Sequence, residues 1–306
     1  MSAVEIHSVS GLEGLRRWAE LRNIVHPHDP DDAEQMVLVR AAEPEHVNLI
    51  AYVDGAPAGV GMLAGDPVTR ESDEQYVEVA VVPDARGRGV GSALFRQLSQ
   101  QARALGKSSL LCTATAGDTP STAFLERHGF VEIERMETWT LDLTAELPAK
   151  PPPPDGIEIA SLLQRPLAIG SMYDVACTTA PELGGHVARQ AESLHDWHVY
   201  ELGGALLLDL TMFAASGDDV VGFSTLRRVG EGERVEIRTL RVLSEWRRRG
   251  IARALVLTQA HGARAQGAVT MQMLLRTPAA VALAADLGFG PESVMVDYRG
   301  PLFDDA

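Results

Sequence analysis

The stretch from Val77 to Leu105 constrains the fold of this chain more than any other segment. It begins with alternating apolar residues, Val77, Val79 and Val81, which is the period of a β-strand. A loop rich in arginine and glycine follows at 86–91, and apolar residues then return every three or four positions, as in a helix. Because the first N–H groups of a helix lack partners and its dipole is positive there, glycines at this point allow a phosphate to reach the backbone. The pattern therefore predicts a strand, a phosphate-binding turn and a helix, although glycines also serve in a tight turn alone.

Four landmarks of the first half recur in the second half with nearly the same spacing. The matching pairs are 58–60 and 221–223, 86–91 and 247–252, 102–106 and 263–267, and 128–130 and 287–289. Their offsets are 163, 161, 161 and 159 residues, so the register holds within four residues over half the chain. Self-similarity of this kind indicates a duplicated domain.

A proline-rich segment separates the two copies. Residues 151–154 are four consecutive prolines, which form an extended and semi-rigid spacer with no core of its own. We therefore expect an N-terminal domain at 1–147, a linker at 148–156 and a C-terminal domain at 157–306. A chain of 306 residues is long enough for two domains, each with a core.

Composition and charge limit the classes of function. Apolar residues make up 45% of the chain and charged residues 23%, which is ordinary for a soluble globular protein. The net charge of −15 disfavours binding to nucleic acid or to an anionic membrane. Cys112 and Cys177 are the only cysteines, which argues against a disulfide framework and favours a cytoplasmic protein. A monomer and a homodimer are both compatible with the sequence.

The remaining pattern predicts strands at 5–9, 47–53, 58–63, 109–115 and 133–143, with helices at 12–21 and 121–127. The segment 26–32 contains two prolines, which exclude a helix there. Its two histidines and three aspartates are metal-ligand types, but without a regular ligand spacing they favour a solvated turn.

Each half resembles the GNAT superfamily of acyl-CoA-dependent N-acetyltransferases. The motif that carries the resemblance is Arg/Gln-x-x-Gly-x-Gly/Ala, met by Arg86, Gly89 and Gly91 and again by Arg247, Gly250 and Ala252. In both halves a strand precedes the loop, a helix follows it, and a Gly-Phe pair comes later. The resemblance implies an α/β fold of two tandem GNAT domains, each a mixed, mostly antiparallel sheet flanked by helices.

The resemblance also implies acetyl-CoA as the co-substrate, with no metal. The loop amides would bind the pyrophosphate, and the pantetheine arm would pair with the strand before the loop, which splays from its neighbour. The residues implied in the first half are Val81, Val82, Arg86, Gly87, Arg88, Gly89, Val90, Gly91 and Ser92. Those implied in the second half are Val242, Leu243, Arg247, Arg248, Arg249, Gly250, Ile251 and Ala252.

The candidate catalytic residues follow from the same resemblance. GNAT enzymes often take the base that deprotonates the amine from a glutamate on the strand before the loop, which indicates Glu78. In the second half Glu236 or Arg238 occupies the comparable position, and Glu236 is the candidate base. A solvated strand face is the alternative interpretation of both carboxylates. Many members protonate the leaving thiolate with a tyrosine, but Leu125 and Ala284 occupy those positions here. The proton then comes from water or from another residue, such as Tyr298 near the end of the second half, unless one half is degenerate.

The leading interpretation is an acetyltransferase that acts on the primary amine of a small molecule by direct attack on the thioester. The negative net charge favours a cationic acceptor, and neither cysteine lies in a recognisable nucleophile setting. One alternative is transfer to a cysteinyl pseudodisaccharide, as in mycothiol synthase, another tandem GNAT. The other is a degenerate tandem GNAT that binds acyl-CoA as a sensor or scaffold. The first half, with Pro83, a complete glycine loop and Glu78, is favoured as the cofactor site and as the catalytic one.

Overall fold

The computed structural model describes residues 3–27, 30–42, 45–64, 73–183, 193–201, 206–230 and 233–303. In the first half the elements are β1 Val4–Ser8, α1 Gly11–Val25, α2 Ala33–Ala42, β2 Val47–Val53, β3 Ala56–Ala64, β4 Glu74–Val81, α3 Val90–Ala104, β5 Ser109–Thr115, α4 Thr119–Arg127 and β6 Val131–Asp142. In the second half they are β7 Glu158–Ser161, α5 Ile169–Thr179, α6 Leu194–Glu201, β8 Met212–Ser216, β9 Asp219–Val229, β10 Arg234–Val242, α7 Ile251–Ala265, β11 Thr270–Leu275, α8 Pro278–Asp286 and β12 Gly290–Pro301. The predicted strand, loop and helix over 77–105 are confirmed as β4, the glycine loop and α3. No helix among the described residues is long and apolar enough to span a bilayer.

The chain folds into two compact units, which are Met1–Arg135 with Met295–Ala306, and Met136–Val294. In the first unit the strand order is β1-β2-β3-β4-β5-β12. Of its pairs, β4 and β5 are parallel and the others are antiparallel. Helices cover both faces of this sheet. Trp18 of α1 is fully buried on one face, and Leu94 and Leu98 of α3 are fully buried on the other.

The second unit has the corresponding strand order, β6-β11-β10-β9-β8-β7. Here β10 and β11 are the parallel pair. One face packs on α7 through residues such as Val256, Leu257 and Ala260, and the other packs on α5 and α6 through Met172 and Trp197. Each unit is therefore a mixed, mostly antiparallel sheet flanked by helices, as the resemblance to the GNAT superfamily implies.

The last strand of each half lies in the sheet of the other unit. β12 pairs with β5, with Tyr298 opposite Cys112, and β6 pairs with β11, with Trp139 opposite Met273. The two compact units therefore differ from the expected domains 1–147 and 157–306 by this exchange of strands. The linker at 148–156 lies between the two copies of the repeated sequence, and this boundary stays a prediction.

Candidate functional site

The loop before α3 exposes the start of the helix. Gly89 is the N-cap residue with φ 84°, and no side chain caps the helix there. The neighbouring helix α4 differs, since the side chain of Asp118 accepts a hydrogen bond from the N–H of Ser121. A Cβ added at Gly87 (φ 75°) or Gly89 would meet nothing within 4 Å, so the glycines are required by the left-handed backbone and not by lack of space. The uncapped amides at the start of α3 thus remain available for an anion.

Two arginines hold this loop in position. Arg86 donates from Nε to the carbonyl oxygen of Val81 at 3.2 Å, which ties the loop to the end of β4. Arg88 forms an ion pair with Asp54 at 2.7 Å. Val90 is buried and anchors the first turn of α3, where Gly91 and Ser92 follow.

Beside this loop the two parallel strands part. β4 and β5 pair only at three positions, the last being Tyr76 opposite Leu111, although β4 continues to Val81 and β5 to Thr115. Past that point the edge of β4 faces an opening, not a strand. The expected splay of the strand before the loop is therefore present in the first unit.

Alternation along β4 decides which backbone groups face the opening. The N–H of Val82 donates to the carbonyl oxygen of Ala58 on the β3 side. Since backbone groups of successive residues point to opposite edges of a strand, those of Val79 and Val81 face β5 and those of Val82 do not. Val79 was not among the predicted cofactor residues, and its place in the same alternation as Val81 is the signal that could have identified it.

Glu78 lies on the face of the sheet covered by α1. Its Oε1 accepts a hydrogen bond of 2.7 Å from Nε of Arg22, and its other oxygen is 3.4 Å from Nη2. Nε of Arg22 also lies 3.1 Å from Asp31 Oδ2, and Nε2 of His26 is 3.7 Å from Glu78 Oε1. The Glu78 side chain is only 15% exposed, so the interpretation as a solvated strand face is wrong for this residue.

A second polar group shares that face. Tyr76 is partly buried, and loss of water around it raises the pKa of its phenol above the ordinary value, while its side chain hydrogen-bonds to Thr113. Thr113 in turn donates to Asp297 Oδ1 at 2.6 Å. Alternation from Glu78 could have identified Tyr76, but nothing local to Asp297 predicts its position, since β12 reaches this sheet only through the strand exchange.

Tyr298 belongs to the first unit and not to the second, where the sequence placed it. It is buried on β12 opposite Cys112, and its neighbour Asp297 occupies the face of Glu78, so Tyr298 points to the other face.

Burial, with the charge of Asp297, raises the pKa of the Cys112 thiol to about 12, which leaves little thiolate for nucleophilic attack. Leu125 is buried in the core, as is Ala284 in the second unit.

The loop of the second unit repeats the first with changes in charge. Gly250 is the N-cap residue of α7 with φ 85°, and Arg247 donates from Nε to the carbonyl oxygen of Val242 at 2.9 Å. Arg248 holds the left-handed position taken by Gly87 in the first unit, with φ 60°. Arg247 is also ion-paired with Glu182.

The other predicted residues of the second loop have similar surroundings to their counterparts. Arg249 stacks over the ring of Trp246 at 4.7 Å, and Ile251 is buried at the start of α7, next to Ala252. The N–H of Leu243 donates to the carbonyl oxygen of Val221, as that of Val82 does to Ala58.

β10 contains a bulge that β4 lacks. Its register against β9 shifts between Ile237 and Thr239, so Arg238 is an inserted residue. Thr239 therefore lies where Glu78 lies in the first unit, three residues before the valine that ends the strand. Glu236 is held by Arg227 Nη2 and Gln272 Nε2, each at 3.0 Å. This carboxylate is thus part of a polar network, at the register position of Tyr76 and not of Glu78.

No group of three or more histidine, cysteine, aspartate or glutamate side chains in the described part of the chain is arranged to hold a metal ion. This finding applies to only part of the loop at 26–32, because His28 and Asp29 lie outside the described residues.

Comparison with known proteins agrees with this geometry. The model of the acetyltransferase (GNAT) family matches residues 12–130 and again 171–289. A mycothiol acetyltransferase of Renibacterium salmoninarum is 26% identical over 305 residues, which cover 95% of this chain and 87% of that protein.

Two solved structures share the fold over nearly the whole chain. A tandem GNAT protein from the clavulanic acid biosynthesis pathway has a TM-score of 0.75 at 16% identity, covering 99% of this chain and 100% of its own. A GCN5-related N-acetyltransferase from Sphaerobacter thermophilus has a TM-score of 0.73 at 17% identity, covering 99% and 97%. Since the family model matches both halves, and both carry the uncapped glycine loop at a helix start, the chain belongs to the GNAT acetyltransferase family.

Proposed function

We propose that the first unit binds acetyl-CoA and transfers the acetyl group to the primary amine of a small molecule by direct attack on the thioester. The observation that carries this proposal is the parting of β4 from β5 directly beside the uncapped start of α3. Such a site offers backbone amides to a pyrophosphate and an open strand edge to the two amides of the pantetheine arm.

The arginine that begins the glycine-loop motif has different contacts in the two units. The predicted phosphate site at Gly89 follows Arg86 and Arg88 in the chain, and of these Arg88 is paired with Asp54 at the surface. In the second unit the arginine that corresponds to Arg86 is already paired with Glu182, whose negative charge opposes a phosphate nearby. This difference supports the first unit as the acetyl-CoA site.

The acceptor is proposed to be a cationic amine that approaches the face of Glu78. Three carboxylates lie on or beside this face, Glu78, Asp31 and Asp297, and they favour an ammonium group over an anion. An amine must lose its proton before it attacks, and Glu78, acting through water and oriented by Arg22, is the proposed base. The leaving thiolate is then protonated by water or by Tyr298, since Leu125 has no proton to donate.

Two alternatives keep specific support. The relative from Renibacterium salmoninarum, named a mycothiol acetyltransferase, favours transfer to the amine of a cysteinyl pseudodisaccharide. The absence of a tyrosine at Leu125 and Ala284 favours a degenerate protein that binds acyl-CoA without turnover. Turnover of acetyl-CoA with a panel of polyamines, aminoglycosides and a cysteinyl pseudodisaccharide separates these possibilities from the main proposal.

The loop assignment is tested with Gly89→Asp. A carboxylate at this position meets the pyrophosphate and removes a left-handed glycine, so we expect acetyl-CoA to bind roughly a hundredfold more weakly by calorimetry. Gly106→Asp is the matched control, because Gly106 has φ 78° at the other end of α3 and a Cβ there also meets nothing within 4 Å. Gly250→Asp reports on the second unit. Unchanged affinity in Gly89→Asp, with a loss in Gly250→Asp, would move the site to the second unit.

A further inference from the structure

Corresponding faces of the two sheets differ in the balance of their charged side chains, although each face holds both signs. In the first unit the face covered by α1 holds the carboxylates described above. In the second unit the corresponding face, covered by α5 and α6, holds Arg238 and Arg241 near Glu201, and Arg227 paired with Glu236. Among the described residues of this face the guanidinium groups outnumber the carboxylates, in a chain whose net charge is −15.

Arg241 is the centre of this group. It lies on β10 opposite Phe223, at the register position that Ala80 occupies on β4 of the first unit. One of its Nη atoms donates to the backbone carbonyl of Leu240 at 3.2 Å. Loss of water lowers the pKa of the Arg241 guanidinium, Glu201 partly offsets this, and the charges of Arg276 and Arg247 lower it further. The cation is thus partly buried near other cations, and a bound anion would stabilise it.

Glu201 does not neutralise the group by itself. Its Oε1 accepts a hydrogen bond of 2.7 Å from Thr225, and its Oε2 lies 3.7 Å from Nε of Arg238. The hydroxyl of Thr225 also accepts from the N–H of Thr239 at 3.1 Å, just past the bulge. The bulge thus brings Arg238 to the carboxylate whose charge also acts on Arg241, so Glu201 is shared by these two arginines.

From this arrangement we propose that the face of the second unit around Arg241 binds a small molecule through an oxyanion group, either carboxylate or phosphate. The planar guanidinium donates two parallel hydrogen bonds to such a group, and partial burial strengthens them. The proposal concerns the second unit and does not depend on acetyl transfer in the first.

The test is calorimetry on the full chain without coenzyme A, at constant ionic strength, with succinate and inorganic phosphate as probes and putrescine as the cationic comparison. We expect one or both anions to bind, and the tighter of the two to identify the group. Arg241→Gln should weaken that binding roughly ten- to hundredfold, since it removes a hydrogen bond to a charged group. Arg228→Gln is the matched control, because Arg228 is on β9 and contacts Gln266 on the opposite face.

A second variant predicts a change of opposite sign. Glu201→Gln keeps an oxygen that accepts from Thr225 but removes the competing negative charge, so anion binding should become tighter by about threefold or more. This variant also decides the question if Arg241→Gln does not fold. The proposal is overturned if neither anion binds, if binding is the same in Arg241→Gln and Glu201→Gln as in the natural chain, or if putrescine binds in their place.

Discussion

Replacing Glu78 by glutamine separates a catalytic role from a structural one. The substitution keeps the shape of the side chain and removes its charge, which faces Arg22 at 2.7 Å. The Arg22 side chain is only 9% exposed, so the loss of a partner has a cost, but Asp31 at 3.1 Å still faces it. Because one carboxylate remains, we expect a cost of about 2 kcal/mol, below the roughly 3–5 kcal/mol for breaking an isolated buried pair. For a unit of about 150 residues that unfolds by itself, this lowers Tm by about 4–8 °C.

The expected effect on catalysis is larger. Loss of a general base costs about 10²–10⁴ in rate, or about 3–5 kcal/mol in activation free energy. The assay is acetyl-CoA turnover with a good amine acceptor, measured well below the Tm of each variant and across pH. In Glu78→Gln the acidic limb of the profile should flatten, because the group whose deprotonation produces it is gone.

Asp31→Asn is the matched control for this experiment. It removes the other carboxylate beside Arg22, so its effect on Tm should be similar, while the pH profile should keep its acidic limb. The reasoning fails if Glu78→Gln retains both the rate and the profile. It also fails if Asp31→Asn reduces the rate and flattens the acidic limb to the same extent, because Glu78 would then only support the local structure.

Three further outcomes follow from the packing of the first unit. In Gly300→Ala the new Cβ would lie 2.3 Å from the ring of Phe130, so thermal unfolding should show that the free energy of unfolding falls by about 1–3 kcal/mol. In the control Gly290→Ala the new Cβ meets nothing within 4 Å, so the free energy of unfolding should hardly change. Mass spectrometry after iodoacetamide at pH 8 should show Cys177 alkylated before the buried Cys112, and the reverse order would contradict the thiol assignment. The pKa of Cys112 rises from 9.0 to about 12 on folding, so the unfolded chain releases this proton at a lower pH than the folded chain does. The free energy of unfolding should therefore fall by up to about 4 kcal/mol between pH 9 and pH 12, and Cys112→Ala should make this fall smaller.

Local patterns predicted the part of the site that local backbone geometry specifies. The alternation before 83, the left-handed glycines at 87 and 89 and the helical period after them identify β4, the loop and α3 without any tertiary information. The same pattern at 247–265 predicts α7, and together they indicate the duplication. Each of these features depends on residues close to one another in the chain.

The tertiary structure alone decided which residues surround the opening. Arg22 reaches Glu78 across 56 positions of sequence, and Thr113 reaches Asp297 across 184. The bulge at Arg238 could not be predicted, because one inserted residue hardly changes the alternation of apolar residues along the strand. It leaves Glu236 in a polar network and puts Thr239 at the position of Glu78.

The exchange of β6 and β12 separates most clearly what the sequence predicts from what depends on the tertiary structure. The strands β5 and β11 occupy corresponding positions in the two sheets, and each offers an antiparallel edge to either last strand. Alternation therefore predicts that 133–143 is a strand but not which sheet it joins, because both pairings satisfy the same hydrogen-bond pattern. The sequence by itself determined two strand–loop–helix modules with glycine-containing turns at the helix starts. Only the tertiary structure decided that Asp297 and Tyr298 belong to the first unit, because strand pairing depends on the packing of the whole chain.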